Sequence, residues 1–375
     1  MKNLIIGAWV FWLYAALKLW REWKETIVIE KDKEAFWRAS YINQARLHSG
    51  YHYPRSKLTA EQSIKYFIKF YEDFRFAIND SFKQIYAISS TDSKVNATEY
   101  KDFCKYFNIK CDEIDSSLYF KNGSVEKAFD TKEYSFDAVK IRDYFLSEIE
   151  KLGNVKILYN EDITKVEKSD DDFLIILKSG KEIKTKNVLN TTYASSNQII
   201  KRFWFDNLFD VKYELCEVIF CEVNDIIKNV GLTVMDWPFF SVMPFWLRWF
   251  HSITSVQHTP HQTSYNKLPK FDCQIKSNVC TEDSLDNCNL CKYRPETARN
   301  QMIELAYRYL NDEIKMKYIS SIFTPKIILS AAEKDDARPT LIREFWEEWW
   351  PKLYSVLSWK LNTIYELDEV IDKFS

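Results

Sequence analysis

Leu4-Ile5-Ile6-Gly7-Ala8-Trp9-Val10-Phe11-Trp12-Leu13 opens the chain with an apolar run, a glycine and the start of a helical stretch. Set against the pattern G-x-G-x-x-G, which follows a strand and opens a helix, Gly7 is the first glycine, and Trp9 and Trp12 stand at the second and third. The second glycine of that pattern lets the backbone approach a pyrophosphate, and the third lets helix and strand pack closely. An indole at either position fills that space. The flanking residues still complete the unit: a strand from Asn3 to Gly7, a helix from about Val10 to Glu22 and a strand from Thr26 to Glu30. Glu30 ends the second strand twenty-three residues after Gly7, near the roughly twenty-residue offset at which a carboxylate meets a ribose hydroxyl. The whole is a βαβ unit of about thirty residues.

With 375 residues, 46% of them hydrophobic and 28% charged, the chain can bury a sizeable core in two domains. A net charge of -2, with basic and acidic residues interspersed, excludes the footprint of a nucleic-acid partner. Six glycines are about 2% of the chain, against a usual share of roughly 7%. Adding the thirteen tryptophans brings the sum to about 5%. Eight cysteines in a chain this long need form no disulfide framework, which points to a reducing, cytoplasmic compartment. Residues 4 to 20 are apolar enough to be weighed as a membrane anchor. They fit better as a buried strand, turn and helix, with Lys18, Arg21 and Lys24 marking the solvated helix end, so membrane association is not expected.

Farther along, Asn43 to Arg55 has little periodicity and is expected to be a loop lining a site. Helices are expected at about Thr59 to Ala77, Ile141 to Leu152 and Gln301 to Leu310. Val155 to Tyr159 is a strand, and Ile163 to Asn190 a small ladder turned at Ser179-Gly180-Lys181. Val211 to Gln257 carries long apolar and aromatic strands, Lys315 to Ser330 and Leu353 to Ser358 are strand-like, and a terminal helix opens after Ser358. The fold class is α/β: a Rossmann-like nucleotide-binding domain with a second, mainly antiparallel β-sheet domain. The nucleotide-binding domain is expected from residues 1–82, 141–203 and 326–375, and the second domain from 83–140 and 204–325.

These pieces resemble, over nearly the whole chain, the FAD-dependent oxidoreductases of the D-amino-acid oxidase type, which include glycerol-3-phosphate dehydrogenase and L-2-hydroxyglutarate oxidase. Asn43 to Ala60, with the core His48-Ser49-Gly50-Tyr51-His52-Tyr53, is similar to the flavin-contacting loop of the 2-hydroxyglutarate enzymes. Val256-Gln257-His258-Thr259-Pro260 resembles a strand of their substrate domain. Ser358-Trp359-Lys360-Leu361-Asn362-Thr363 resembles the Gly-Lys-x-Thr-Thr turn of the glycerol-3-phosphate dehydrogenases, again with tryptophan in a glycine place. Trp23, Trp37, Trp204, Trp237, Trp246, Trp249, Trp349 and Trp350 also sit in turn or helix-end contexts. Substitution by a single residue type points to one cause: UGA codons that mean glycine in the source, read here as tryptophan.

The resemblance implies that Gly7, Ala8, Trp9, Phe11 and Trp12 face the FAD pyrophosphate at a helix N-terminus. It places Glu30 and Lys31 at the adenosine ribose, Ile163 at the adenine and Thr191 beside the site. Asn43, Arg46 and His48, with Trp359, Lys360 and Leu361, would contact the flavin. For catalysis it nominates Lys360 as a cation at the flavin edge, Arg338 as the partner of a carboxylate or phosphate, and His48 as a base or flavin contact. Arg343 is a second candidate for the anion. The substrate is then a small anionic metabolite oxidised next to a hydroxyl or amine; the residues name no electron acceptor.

His251, His258 and His261 fall in the substrate sheet, but alternation along a strand need not bring them together. Cys273, Cys280, Cys288 and Cys291 are close enough in sequence to wrap a structural zinc, with free thiols or an iron–sulfur cluster as the other readings. Taken with its letters unchanged, the chain is instead a cofactor-free, Rossmann-shaped binding or scaffold protein, membrane-anchored by its first twenty residues.

Overall fold

Leu4, Ile5 and Ile6 alternate no polar residue among them because strands cover both edges and packed layers cover both faces. The computed structural model describes residues 2–7, 9–21, 25–169, 171–245, 247–333, 338–346 and 351–374. Ala8, Trp23, Trp246, Trp349 and Trp350 lie outside the described residues. The strand Lys2–Ile6 runs parallel to Glu25–Ile29 on one side and Asn187–Asn190 on the other, with Ile5 opposite both Val28 and Leu189. Val155–Leu158 extends this sheet past Glu25–Ile29. Lys352–Leu357 extends it past Asn187–Asn190, and Leu341–Phe345 closes that edge antiparallel. The chain leaves the central strand toward one side and returns on the other. Such a switch point opens a crevice at the carboxyl ends of the strands.

The helix Val10–Arg21 is apolar nearly all round and, among the described residues, brings only a narrow strip, Tyr14, Leu17 and Lys18, to the surface. Val10, Phe11, Trp12, Leu13, Ala15, Ala16 and Leu19 are completely buried. Twelve residues span far less than a bilayer. Among the described residues, no helix is long and apolar enough to cross a membrane.

The large second sheet is built on a long antiparallel pair, Val211–Val223 with Met316–Leu329, in register from Val211 opposite Leu329 to Val223 opposite Met316. Around it lie Pro260–Ser264, His251–Ser255, Phe240–Pro244 and Val230–Met235, all antiparallel to their neighbours. Lys83–Ser89 then joins parallel to Val230–Met235, bringing in Val125–Thr131 and Asp112–Ile114. The helix Arg299–Tyr309 packs on this sheet through Met302, Leu305 and Ala306. Ile163–Ser169, Asp172–Leu177 and Glu182–Thr185 form a separate three-stranded meander, with Gly180 at its turn.

Three expectations change. Asn187–Asn190, expected in the small ladder, pairs with Lys2–Ile6 in the parallel sheet instead, and Glu182–Thr185 is the third strand of the meander. The stretch Asn43 to Arg55 contains a short strand, Arg46–Leu47, paired with Tyr134–Phe136, a partner some ninety residues away that no local pattern announces. The terminal segment is not a regular helix: Leu361–Leu367 is 3₁₀ and only Asp368–Ile371 is α-helical. Its start is held by side chains, with Thr363 Oγ1 donating to the Lys360 carbonyl and the Asn362 amide reaching the His48 and Ser63 carbonyls.

Candidate active site and nucleotide crevice

Gly7 ends the central strand with φ +94°, in the left-handed region. A Cβ there would meet Thr192 and the Thr191 carbonyl at 3.1–3.2 Å, so this turn demands glycine by both conformation and space. Glu30, at the end of the neighbouring strand, is buried and accepts a 2.8 Å bond from the Asp32 amide, which holds its carboxylate at the crevice wall. Arg38 clasps Asp32 at 2.6 and 2.9 Å. Burial works against the Arg38 charge, but Asp32 outweighs it and raises its pKa. Asp162 is paired with Arg202 at 2.6 Å; although burial opposes ionisation, Arg202 and Lys31 hold the Asp162 carboxyl below its usual range. Thr191 to Ser195 form the opposite wall, and Ser284 and Leu285 reach over from the large sheet's side.

An FAD pyrophosphate would need the space beside Gly7 and the helix N-terminus, and there the residues do not fit it. Trp9 is nine-tenths buried, stacked on Phe11 at 4.5 Å and against Tyr193 at 5.3 Å. The cavity left between Gly7, Glu30 and Tyr193 is about 120 Å³, against roughly 300–1,000 Å³ for ordinary ligand sites. Trp9 Nε1 and Trp12 Nε1 are both buried without a hydrogen-bond partner. A buried indole normally finds one. Trp204 sits at φ +65°, where a bulky residue is an outlier and glycine is at ease. The adenosine wall therefore has the shape of a nucleotide site, while the written tryptophans close its pyrophosphate end.

A second polar cluster lies where the loop after Asn43 meets the large sheet. Glu133 is fully buried and receives Arg46 Nη1 at 2.6 Å and the Tyr86 hydroxyl at 2.5 Å. Arg46 also donates to Tyr86, Ser241 and Thr233, and so ties its short strand to three strands of the large sheet. Burial alone would raise the Glu133 pKa, yet Arg46 and the two imidazoles His48 and His52 hold it far below the usual carboxylate range. His48 Nδ1 lies 3.7 Å from Glu133 Oε1. Burial lowers the His48 pKa and, together with Arg46, lowers that of His52 further, so both rings are neutral at pH 7. His48, His52 and Glu133 place their ligand atoms within 4.8 Å of one another. The Arg46 guanidinium already balances the single carboxylate of that group, which argues against a divalent ion there.

Lys360 adjoins this cluster. Its ammonium lies 4.1 Å from the centre of the Tyr53 ring and donates to the Thr59 carbonyl at 3.0 Å and to Ser63 Oγ. Burial, reinforced by the Arg338 charge, pushes its pKa well down. Arg338 is anchored through its backbone amide to Thr59 Oγ1 at 3.0 Å. His48, Lys360 and Arg338, expected to act together from three distant segments, thus converge on the start of the helix Lys57–Asp73.

Other expected residues occupy different places. Phe11 and Trp12 are core. Asn43 builds its own loop, bonding the Ala39 and Ser40 carbonyls and the Ala45 amide. Ile163 packs inside the three-stranded meander, and its neighbours Glu161 and Asp162 line the crevice instead. Lys31 lies at the crevice but donates to Ser284 Oγ at 2.6 Å and the Leu285 carbonyl at 2.9 Å. Thr191 lines the crevice and bonds the Ile6 carbonyl, while Trp359 reaches the Ile327 carbonyl and Leu361 packs on the main core. Arg343 is committed to the Asn207 and Leu208 carbonyls and the Phe209 ring. The three histidines do not gather: His251 bonds the Val230 carbonyl, His261 pairs with Glu217 at 2.8 Å, and His258 lies in the turn between their strands. Glu133, Tyr86, Asp32 and Arg38 were missed, since nothing local distinguishes them from ordinary strand and loop residues.

No family model matches the chain. The glycine oxidase of Geobacillus kaustophilus has a similar structure, with a TM-score of 0.70 at 10% identity, covering 99% of this chain and 95% of the oxidase. The chain has the fold of the FAD-dependent amino-acid oxidases. NikD, an amino acid oxidase of nikkomycin biosynthesis, gives a TM-score of 0.70 at 9% identity over 98% of this chain and 92% of its own. The glycerol-3-phosphate dehydrogenase of Bacillus halodurans, complexed with FAD, gives 0.61 at 12% identity over 100% and 64%. By sequence, the chain is similar to the FAD-dependent monooxygenase kojA of Aspergillus flavus, 24% identical over 258 residues. That match spans 64% of this chain and 57% of the fungal protein, little more than half of the relative's length.

Proposed function

We propose that this chain is an FAD-dependent oxidoreductase that removes a hydride from a carbon bearing a hydroxyl or amine on a small anionic metabolite, and that tryptophans 9, 12, 37 and 359 are glycines in the protein as its source makes it. The observation that carries this is the pairing of a glycine-demanding strand end at a sheet switch point with half-buried His48 and Arg338 and the buried Lys360, gathered at the start of the helix Lys57–Asp73. Bound flavin would supply the two-electron acceptor. Glu30 would bind the ribose of the adenosine half, and the amides after Gly7 would face the pyrophosphate. Arg338 would pair with the substrate anion. A neutral His48 can take the proton of the hydroxyl or amine, and Glu133 then stabilises the imidazolium that results. Lys360 would place a donor at the flavin edge.

The codons test the glycine half of this directly: UGG at positions 9, 12 and 359 would refute it. The cofactor half is tested by the visible absorbance of protein made with glycine at these positions. A yellow product with bound FAD is expected. A colourless one, indifferent to added FAD, would favour the cofactor-free scaffold.

A further inference from the structure

Among the described residues, Cys273, Cys280, Cys288 and Cys291 bring no group of metal-ligand atoms together; His48, His52 and Glu133 form such a group, but Arg46 already balances its carboxylate. The reaction proposed above draws on one of the two imidazoles, His48. His52 is left without a task. Its ring lies edge-on to His48 at 5.3 Å and to Phe239 at 4.8 Å, with Tyr53 at 6.0 Å. Lys360 sits 4.1 Å from the centre of the same Tyr53 ring, which joins His52 to the Lys360 side of the site.

Counting hydrogens decides which nitrogen of His52 is protonated. Glu133 is ionised, because Arg46 Nη1 meets it at 2.6 Å and holds its pKa far down. The Tyr86 hydroxyl has a single proton, and at 2.5 Å from Glu133 Oε2 that proton lies between the two oxygens. Only acceptor capacity remains on the Tyr86 oxygen. It faces Arg46 Nη1 at 2.6 Å and His52 Nδ1 at 2.6 Å. A lone pair on Nδ1 would oppose that oxygen, so Nδ1 carries the ring's proton and donates it to Tyr86. The other nitrogen of a neutral imidazole, pointing the opposite way, is then a bare acceptor. Among the described residues Nε2 makes no hydrogen bond, and it is not sealed off as His48 Nδ1 is. Burial and Arg46, whose Nη1 is 3.4 Å from Nδ1, both oppose protonation of the ring. His52 is a poor base and a constant acceptor.

We propose that His52 Nε2 is a specificity-determining acceptor: it receives a hydrogen bond from an N–H or O–H that the substrate keeps, while His48 takes the proton that the substrate loses. The substrate role rests on the flavin reading above. Lys360 and Arg338 supply donors to an anion, so the lone pair of His52 adds the opposite requirement. A substrate that meets it has, beside its anion, a donor that survives the oxidation, such as the remaining N–H of an amine or a further hydroxyl on a hydroxy acid. An analogue without that donor displaces water from Nε2 and leaves it unpaired, which weakens binding.

Ring-nitrogen NMR of the chain labelled at histidine reads the tautomer without flavin or substrate. His52 should show a protonated Nδ1 and a bare Nε2, unchanged between about pH 6 and 8. Tyr86→Phe should invert this, because Arg46 Nη1 then donates to Nδ1 and the ring's proton moves to Nε2. A protonated Nε2 in the parent, or a tautomer indifferent to Tyr86→Phe, would overturn the proposal. The substrate role is read with the glycine-bearing, FAD-loaded chain and whichever of glycine, alanine, lactate and glycerate it oxidises fastest. His52→Phe should raise KM about tenfold with kcat changed less than about threefold. His52→Gln, which keeps an acceptor, should recover part of the loss, and His48→Gln should lower kcat instead. Unchanged KM in His52→Phe would overturn the substrate role. Bound FAD with none of the four oxidised overturns that role together with the oxidation reading. A chain that binds no FAD overturns the flavin assignment as well, and the nitrogen spectra still decide the tautomer.

Discussion

Replacing Trp9, Trp12, Trp37 and Trp359 with glycine separates the two accounts of the crevice by a large margin. If the indoles at 9 and 12 are native core, removing two such buried rings costs about 3–5 kcal/mol each, with about 1 kcal/mol more for glycine inside the first helix. Relief of two unpartnered indole N–H groups returns about 1–3 kcal/mol apiece. The net loss, about 5 kcal/mol, is a large share of the usual 5–15 kcal/mol of stability. If the positions are native glycines, FAD should refill the crevice. At one hundred times its Kd it adds about 2.7 kcal/mol. Unfolding entropy near 2.1 cal/mol/K per residue, over 375 residues, is about 0.8 kcal/mol/K. The FAD-dependent rise in Tm is then about 3 °C. Thermal melts of both chains with and without FAD measure this, and absorbance reports the bound flavin. A four-glycine chain that melts several degrees lower and ignores FAD would refute the argument.

Trp204→Gly is expected to stabilise the chain by about 1 kcal/mol, because the left-handed backbone costs a bulky residue more than glycine's entropy does; a denaturant midpoint that falls instead would contradict it. Glu133→Gln leaves the Arg46 guanidinium buried beside a neutral partner, at a cost of about 3–5 kcal/mol at pH 7. Because the folded Glu133 pKa is depressed, its contribution is full above about pH 4.5 and is lost as pH falls below that. The variant's stability should accordingly depend less on pH below 4.5, and an acid limb as steep as the parent's would count against the pairing. In the glycine-bearing chain, Glu30→Ala should weaken FAD by about tenfold, the worth of one charge-assisted hydrogen bond, measured by flavin fluorescence titration; unchanged affinity would remove Glu30 from the ribose site.

Much of the first half of the fold could be read from local pattern. The Leu4 to Gly7 run, the helix after it and the strand ending at Glu30 are set by period and by a glycine that no other residue can replace. Those thirty residues set one wall of the nucleotide crevice, while Asp162, Thr191 to Ser195 and Ser284-Leu285 close it from distant segments. The second polar cluster has no such local origin. Glu133 joins Arg46 across eighty-seven positions and Tyr86 across forty-seven, and a carboxylate on a strand looks the same in sequence whether it meets solvent or a buried guanidinium.

By itself, then, the sequence determined the strand-turn-helix entry, the α/β class and the oddity of tryptophan in glycine places, because all three depend on neighbours in the chain. Tertiary structure alone decided that Lys360, Arg338 and His48 converge on one helix start, that Arg46 is spent on Glu133, and that the cysteine loop reaches over the crivice rim to Lys31 and Arg38. Those contacts are made by segments tens to hundreds of residues apart. Their energy comes from burial and charge pairing in the folded interior, which no local periodicity encodes.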